Sequence, residues 1–118
     1  MTIQRQNLGK SGEDRAVREL ERRGYAILAR RYRTRHGEID VVADDGGTIV
    51  FVEVKARETD ECGSAAEAVT THKQRRLTAM AVDYLARNHV TDRPCRFDVV
   101  AIDGPTVTVY PAAFDASC

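Results

Sequence analysis

Apolar residues recur along this chain with two different periods, and the two periods predict two kinds of secondary structure. Two segments, 11–23 and 70–88, carry apolar residues three and four positions apart, a spacing that favours amphipathic helices. Shorter runs rich in Val, Ile, Phe and Tyr predict five strands. These runs are 25–31, 39–43, 49–54, 97–102 and 106–110. The pattern predicts a single α/β domain over 1–118, with a mixed five-stranded sheet flanked by two main helices in the order αβββαββ.

Capping and turn residues set the ends of the predicted helices. Ser11 is a good N-cap for the first helix, and Gly24 is a natural residue to end it. Thr70 or Thr71 can cap the second helix. Three segments lack periodic apolar residues and are predicted to lie outside these elements: the loose ends 1–10 and 111–118, and the loop 56–69.

Three charged residues lie in or directly beside the apolar runs of the second and third predicted strands: Asp40, Glu53 and Lys55. A buried charge is costly unless it is paired or coordinates a metal ion. Carboxylate oxygens are hard ligands that suit Mg²⁺ or Mn²⁺, and a neighbouring lysine can stabilise developing negative charge or orient an attacking water. The alternative is that Glu53 and Lys55 form an ordinary ion pair on the sheet.

The turn between these two strands decides whether the charged side chains share a face. Side chains alternate along a strand, so the two charged residues of the third strand point the same way. A two-residue loop at 46–47 places Asp40 opposite Glu53, whereas a loop at 45–46 places it opposite Phe51 on the same face. Either loop therefore predicts that two carboxylates and an ammonium group converge on one patch of sheet.

A third carboxylate is expected near this patch. Glu13 lies three, four and seven residues before Ala16, Val17 and Leu20, so it belongs to the apolar stripe of the first helix. Its carboxylate would point toward the sheet. The alternative is a first-turn glutamate that interacts only with the helix dipole.

The net charge is zero, but the charges are unevenly distributed. Residues 1–36 carry ten Lys and Arg against four Asp and Glu, residues 37–61 carry two against eight, and residues 62–96 carry six against three. An acidic hairpin between two basic segments is typical of a metal site flanked by phosphate-binding surface. The candidate phosphate contacts are Arg31, Arg33, Arg35, Lys73, Arg75 and Arg76. The alternatives are solvated side chains and ion pairs with acids such as Glu67.

Other features of the sequence argue against several classes of protein. No apolar run has the length of a membrane span, and the polar, mixed-charge segment 1–15 is unlike a secretory signal. Cys62, Cys95 and Cys118 are far apart and form neither a zinc-binding spacing nor a disulfide framework. These features predict a cytoplasmic protein.

The charged residues also form a set of motifs. Glu13, the run Gly-Glu-Ile-Asp at 37–40 and the run Val-Phe-Val-Glu-Val-Lys at 50–55 together resemble the PD-(D/E)XK nuclease superfamily. Over about residues 8–103 the chain resembles the YraN-type family of predicted endonucleases, which is similar to archaeal Holliday-junction resolvases. The stretches that extend this resemblance are 67–69, 73–77 and 96–100.

This resemblance implies a restriction-endonuclease-like αβββαββ core and a role for each charged residue. Asp40 and Glu53 would be metal ligands, Lys55 the catalytic lysine, and Glu13 an auxiliary acid. Three positions depart from the family's pattern, all in or beside the predicted loop: Cys62, Ala65 and Thr71.

The motifs and the charge pattern favour a divalent-metal-dependent phosphodiesterase that acts like an endonuclease on DNA, with branched or junction DNA as one substrate class. Asp40 and Glu53 would hold one Mg²⁺ or Mn²⁺, aided by the carbonyl group of Val54, and Lys55 would orient the attacking water or stabilise the transition state. The alternative is a non-catalytic nucleic-acid-binding or scaffold protein that keeps the nuclease fold. The expected partner is DNA, a homodimer is kept open, and no membrane is expected.

Overall fold

A computed structural model of the chain describes residues 2–57 and 70–114. In chain order, the elements are α1 (Thr2–Arg22), β1 (Ala26–Thr34), β2 (Gly37–Asp45), β3 (Thr48–Arg57), α2 (Thr71–Arg87), β4 (Cys95–Asp103) and β5 (Thr106–Tyr110). This order confirms the predicted αβββαββ arrangement. Residues 58–69 of the predicted loop, with Cys62, Ala65 and Glu67, lie outside the described residues, as does the end of the chain from 115.

The five strands form one mixed sheet, as predicted, and their order across the sheet is β1-β2-β3-β4-β5. β3 and β4 are parallel, and the other neighbouring pairs are antiparallel. A parallel pair requires a crossover connection, and the segment that contains α2 provides it between β3 and β4. β3 is therefore the central strand, with a hydrogen-bonded neighbour on each side.

The two helices cover opposite faces of the sheet, and each covers its own apolar core. Along β3, Ile49 and Phe51 belong to the core under α2, whereas Val50 and Val52 belong to the core under α1. α1 contributes Ala16, Val17 and Leu20 to its core, and α2 contributes Leu77, Met80, Ala81 and Tyr84 to the other. Because both faces of β3 are covered, its sequence is apolar on both faces, and only its end carries charge.

The first helix begins earlier than the capping signal predicts. The loose lead-in is wrong over residues 2–10, and so is the N-cap at Ser11, because α1 runs from Thr2 through Ser11 without interruption. Residues 3–10 contain Gln, Arg, Leu and Lys, which favour helices, and no proline. A residue with a good capping side chain does not start a helix where the preceding residues are already helical. Gly24 follows the helix as predicted, with a φ of 93°.

The first strand is longer than predicted and is irregular. β1 extends to Thr34, so most of the basic run lies on a strand at the edge of the sheet. Leu28, an apolar residue of this strand, is 44% exposed. The register between β1 and β2 shifts between Ile27 and Ala29, which leaves Leu28 outside the regular ladder.

The segment after β5 is attached to the sheet, so the predicted loose end is wrong over residues 111–114. The amide of Ala112 donates to Oδ1 of Asp98 at 3.0 Å, and the amide of Ala113 donates to the carbonyl of Phe97 at 2.8 Å. The ring of Phe114 stacks on the ring of Phe97 with 4.8 Å between their centroids. An aromatic side chain and two hydrogen bonds donated by backbone amides therefore hold a segment that lacks a strand pattern.

Asp98 is a buried carboxylate whose two oxygens are both satisfied. Oδ1 accepts from Nε of Arg96 at 2.8 Å and from the amide of Ala112, and Oδ2 accepts from the hydroxyl of Tyr25 at 2.9 Å and from Arg96 at 3.1 Å. Burial, together with the charge of Asp98, raises the pKa of Tyr25 to about 12. The hydrogen bond with Asp98 likewise raises the pKa of Arg96. We call Tyr25, Arg96, Asp98 and Asp45, which also accepts from Arg96 at 3.0 Å, the Asp98 network.

Within the described ranges, neither helix combines the length and the apolar character that crossing a membrane requires.

Candidate active site

The hairpin between β2 and β3 has the turn that places the charged residues together. Asp45 pairs with Thr48, so the loop is Gly46-Gly47, as the first of the two predicted loops requires. Gly46 and Gly47 have φ values of 60° and 103°, which explains why glycine occupies both positions. Asp44 supports the turn, because its Oδ1 accepts from the amide of Gly47 at 2.8 Å.

β2 and β3 stop pairing one residue before the expected Asp40–Glu53 pair. The register is the one predicted for a loop at 46–47, but the ladder ends at Val41 and Val52, so Asp40 and Glu53 do not form a ladder pair. The side chain of Asp40 bridges the gap instead, since its Oδ2 accepts from the amide of Val54 at 2.8 Å. The carboxylate of Asp40 is thereby fixed beside the segment that carries Glu53.

The alternation of side chains along β2 breaks at Asp40. Ile39 packs in the core under α2, whereas Val41, two residues later, packs in the core under α1. In a regular strand these two residues would share a face. Arg31 lies across from Asp40 on β1, between two regular ladder pairs, and has a φ of 50°. Such a φ is uncommon outside glycine, and backbone strain of this kind is concentrated at functional sites.

Glu53 lies on the face covered by α2, where its side chain is only 15% exposed. Its Oε1 is 2.6 Å from Nζ of Lys73, a residue in the first turn of α2. Its Oε2 is buried and has no hydrogen-bond partner among the residues that the structure describes. The ordinary ion pair between Glu53 and Lys55, considered above as an alternative, is therefore not formed, and one oxygen of the carboxylate is left without a donor.

Asp40 is the second carboxylate with an unfavourable environment for its charge. Burial raises the pKa of Asp40 to about 6, and the negative charges of Glu53, Glu13 and Glu38 act in the same direction. The hydrogen bond from the amide of Val54 opposes this shift but does not cancel it. A carboxylate that is hard to ionise and that has other carboxylates near it is suited to a site that receives a cation.

Glu13 has a different environment from Glu53, because both of its oxygens are engaged. It is buried on α1 as predicted, its Oε1 accepts from Nε of Arg30 at 3.1 Å, and its Oε2 accepts from Nε of Arg31 at 2.9 Å. Arg30 also donates to Asp14 at 2.6 Å. Arg30 is absent from the predicted site residues although the basic run contains it, because its contact with α1 depends on how the helix packs on the sheet.

The remaining predicted residues other than Lys73 are exposed on the surface. Lys55 is exposed on β3, two residues beyond Glu53, and Arg35, Arg75 and Arg76 are exposed as well. Arg33 is exposed and pairs with Glu38 at 3.3 Å.

Arg76 connects the two basic segments in space. A Cβ atom at Gly37 would lie 3.9 Å from Cδ and Nε of Arg76. The first turns of α2 therefore lie beside the turn between β1 and β2. Lys73, by contrast, contacts a carboxylate rather than projecting freely to the surface.

The donors present suit a hard divalent cation in their chemistry. Among the described residues, no three His, Cys, Asp or Glu side chains are grouped closely enough to enclose a metal ion by themselves. Mg²⁺, however, usually keeps several waters and takes only one or two carboxylates from the protein. Asp40 and the unpaired oxygen of Glu53 supply two such donors.

Comparison with known proteins identifies the family. The chain matches the model described as "Uncharacterised protein family UPF0102" over residues 12–102, a span that includes all four predicted catalytic residues. It is 53% identical to a UPF0102 protein of Ralstonia pickettii strain 12J, with 90% of this chain and 88% of the relative covered. It is 52% identical to one of Symbiobacterium thermophilum, with 83% and 84% covered, and 44% identical to one of Geobacter metallireducens, with 98% of each covered.

Proposed function

Because the chain belongs to the uncharacterised family UPF0102, we propose its function from the site itself: the protein is a divalent-metal-dependent phosphodiesterase of PD-(D/E)XK type that cleaves DNA. The observation that carries this proposal is the buried Oε2 of Glu53, for which residues 2–57 and 70–114 provide no hydrogen-bond partner. An unsatisfied buried carboxylate oxygen destabilises a fold, and a bound cation would remove that penalty. The raised pKa of Asp40 supports the same reading, since a neighbouring cation favours the charged form.

The protein ligands in this proposal are the carboxylates of Asp40 and Glu53 and the carbonyl group of Val54. The hydrogen bond from the amide of Val54 keeps the carboxylate of Asp40 in place before any ligand arrives. When bound, a divalent cation would polarise the scissile phosphate and lower the pKa of a water molecule.

Lys55 is proposed to act on the reacting phosphate. Its ammonium group is exposed, on the strand that also carries Glu53, so a phosphate at the site can approach it from solvent. A cation in this position stabilises negative charge that develops only in the transition state. Its loss should therefore reduce turnover more than it reduces the affinity for DNA.

The basic side chains around the site are proposed to contact the DNA backbone. Glu13 holds the guanidinium groups of Arg30 and Arg31 close to Asp40, as the two ion pairs and the effect of Glu13 on the pKa of Asp40 both indicate. Arg75 and Arg76 add two exposed positive charges on the first turns of α2. Such contacts bind phosphate groups without distinguishing one base sequence from another. Branched or junction DNA is included as a substrate class only because the sequence resembles resolvases.

A second candidate function is a non-catalytic nucleic-acid-binding or scaffold protein that keeps this fold. The observation that favours it is that Glu13 and one oxygen of Glu53 already have cationic partners within the chain. A fold that neutralises its own carboxylates has less need of a metal ion for stability.

The experiment that separates the two functions measures nicking of supercoiled plasmid and of a four-way junction with Mg²⁺ or Mn²⁺, and with chelator as the blank. For the enzyme, Lys55→Ala is expected to abolish nicking while the thermal midpoint, Mn²⁺ binding and DNA binding persist. Arg87→Ala, which removes an exposed cation at the far end of α2, is the matched control and should nick normally. Absence of metal-dependent nicking by the unmodified protein on plasmid, single-stranded and junction DNA would favour the second function.

A further inference from the structure

Lys73 occupies a position where a cation is unfavourable unless something compensates for it. It lies in the first turn of α2, where the helix dipole is positive, and its own amide donates to the N-cap Thr70 at 3.2 Å. Its side chain is 26% exposed, so its ammonium group is partly removed from water. The compensation is the contact of 2.6 Å between its Nζ and Oε1 of Glu53.

This contact occupies Oε1 of Glu53 and leaves Oε2 available to another ligand. A carboxylate that is free to turn about its last side-chain bond would place either oxygen toward a donor. The ion pair fixes Oε1 toward α2, and the partner-free Oε2 is the atom that remains for another ligand.

We propose that Lys73 is a positioning residue, which binds Oε1 of Glu53 and so presents Oε2 to a divalent cation. This inference rests on the proposed function. It reassigns Lys73 from the DNA-contacting surface to the support of the metal site. Residues that hold a metal ligand in place commonly change metal affinity by about 10- to 100-fold when they are replaced.

Competition between Lys73 and the metal ion for the carboxylate is the opposite possibility. In that case the lysine would block the site until a cation displaced it, and its removal would tighten metal binding. The geometry favours positioning, because the ammonium group of Lys73 contacts Oε1, whereas the atom that is left for a metal ion is Oε2.

The test is calorimetric titration of the full chain with Mn²⁺, without DNA, so that the readout does not depend on activity. Lys73→Met keeps the apolar part of the side chain and removes the charge, and we expect it to raise the Kd for Mn²⁺ by about 10- to 100-fold. Lys73→Arg keeps a cation that can reach Oε1 and should restore much of the affinity. Arg87→Met removes a cation from the other end of the same helix and should leave the Kd unchanged.

A second readout protects the test against poor folding of Lys73→Met. The thermal midpoint of Lys73→Gln, which keeps a hydrogen-bond donor without the charge, is measured with and without Mn²⁺. The Mn²⁺-dependent rise in midpoint should be smaller than in the unmodified protein, because a ligand that binds more weakly stabilises the folded state less.

The outcomes separate this inference from the proposed function. An unchanged or lower Kd for both Lys73→Met and Lys73→Gln, with normal binding by the unmodified protein, overturns the positioning role and leaves the metal site standing. Absence of Mn²⁺ binding by the unmodified protein, or equal binding by Asp40→Ala, overturns the metal site and the positioning role together.

Discussion

Two carboxylate clusters in the described part of the chain are satisfied in opposite ways. In the Asp98 network, four hydrogen bonds from Arg96, Tyr25 and Ala112 complete both oxygens of a carboxylate that is only 1% exposed. Near the end of the β2–β3 ladder, one oxygen of Glu53 has no partner within the described ranges, and Asp40 has a raised pKa. Both clusters belong to the same five-stranded sheet, so neither the fold nor the size of the domain explains why their hydrogen bonding differs.

This difference separates a carboxylate whose hydrogen bonds stabilise the fold from carboxylates whose arrangement does not. Buried polar groups in stable proteins nearly always have partners, and the Asp98 network shows that this chain can provide them. An incomplete carboxylate cluster in the same molecule is then a feature that stability does not explain. Such features mark sites where another molecule or ion supplies the missing partner.

The largest effect on stability is expected from the complete cluster. Asp98→Ala removes a carboxylate that neutralises the charge of Arg96 and accepts from Tyr25, so it should lower the free energy of unfolding by about 3–5 kcal/mol. Chemical denaturation measures this change. The milder Asp98→Asn should bind Mn²⁺ with the affinity of the unmodified protein, because Asp98 pairs with Val52 on the face covered by α1, whereas Glu53 lies on the face covered by α2. A small loss of stability in Asp98→Ala would show that the complete cluster is not structural.

A smaller effect of opposite sign is expected from the incomplete cluster. The pKa of Asp40 is raised from 3.8 to about 6 in the folded protein, so between these values the folded state binds more protons than the unfolded state. The contribution of Asp40 to stability therefore falls as pH rises through this window, and above about pH 6 its charge destabilises the fold. Asp40→Asn keeps an acceptor for the amide of Val54 and should be more stable than the unmodified protein by about 1–3 kcal/mol at pH 7.5.

Thermal midpoints at pH 4 and pH 7.5 without metal measure the gain in Asp40→Asn, which should shrink toward zero at pH 4. The control is Asp103→Asn at an exposed position, where no comparable gain is expected. Saturating Mn²⁺ should stabilise the unmodified protein but not Asp40→Asn. A loss of stability in Asp40→Asn at pH 7.5 would mean that the ionised carboxylate is part of the structural framework, as Asp98 is.

The smallest effect on the fold is expected outside both clusters. Replacing both Arg75 and Arg76 with Ala should change the thermal midpoint little, because both side chains are exposed. The same change should weaken binding to all DNA sequences alike and reduce the dependence of log affinity on log salt by about one to two phosphate contacts. Fluorescence anisotropy at several salt concentrations measures the slope. An unchanged slope would remove α2 from the proposed DNA surface.

Sequence reasoning predicts best what depends on neighbouring residues. A two-residue loop between β2 and β3 and an amphipathic second helix follow from local turn chemistry and periodicity, and the structure confirms both. Of the two loops left open by the sequence, the structure has Gly46-Gly47. The helix start is wrong because a capping preference was given more weight than the helical propensity of residues 3–10.

Contacts between distant elements could not be predicted from the sequence. The contact of Lys73 with Glu53 depends on where α2 crosses the sheet, and that of Arg30 with Glu13 depends on the packing of α1. The hydrogen bond from the amide of Val54 to Asp40 depends on the point at which β2 and β3 separate. Turn length sets the register of the two strands but does not show where their pairing ends. The roles of Glu13, Asp40, Glu53 and Lys55 in catalysis remain predictions from the motif.

The position of β1 at the edge of the sheet affects how its arginines can be studied. An edge strand offers unpaired backbone groups to other chains, and charged side chains on it discourage the edge-to-edge association that leads to aggregates. The charges of Arg30, Arg31 and Arg33 are therefore expected to discourage such association, independently of any contact with DNA. Neutral substitutions on β1 would combine lost binding with new self-association, whereas substitutions on α2 would not.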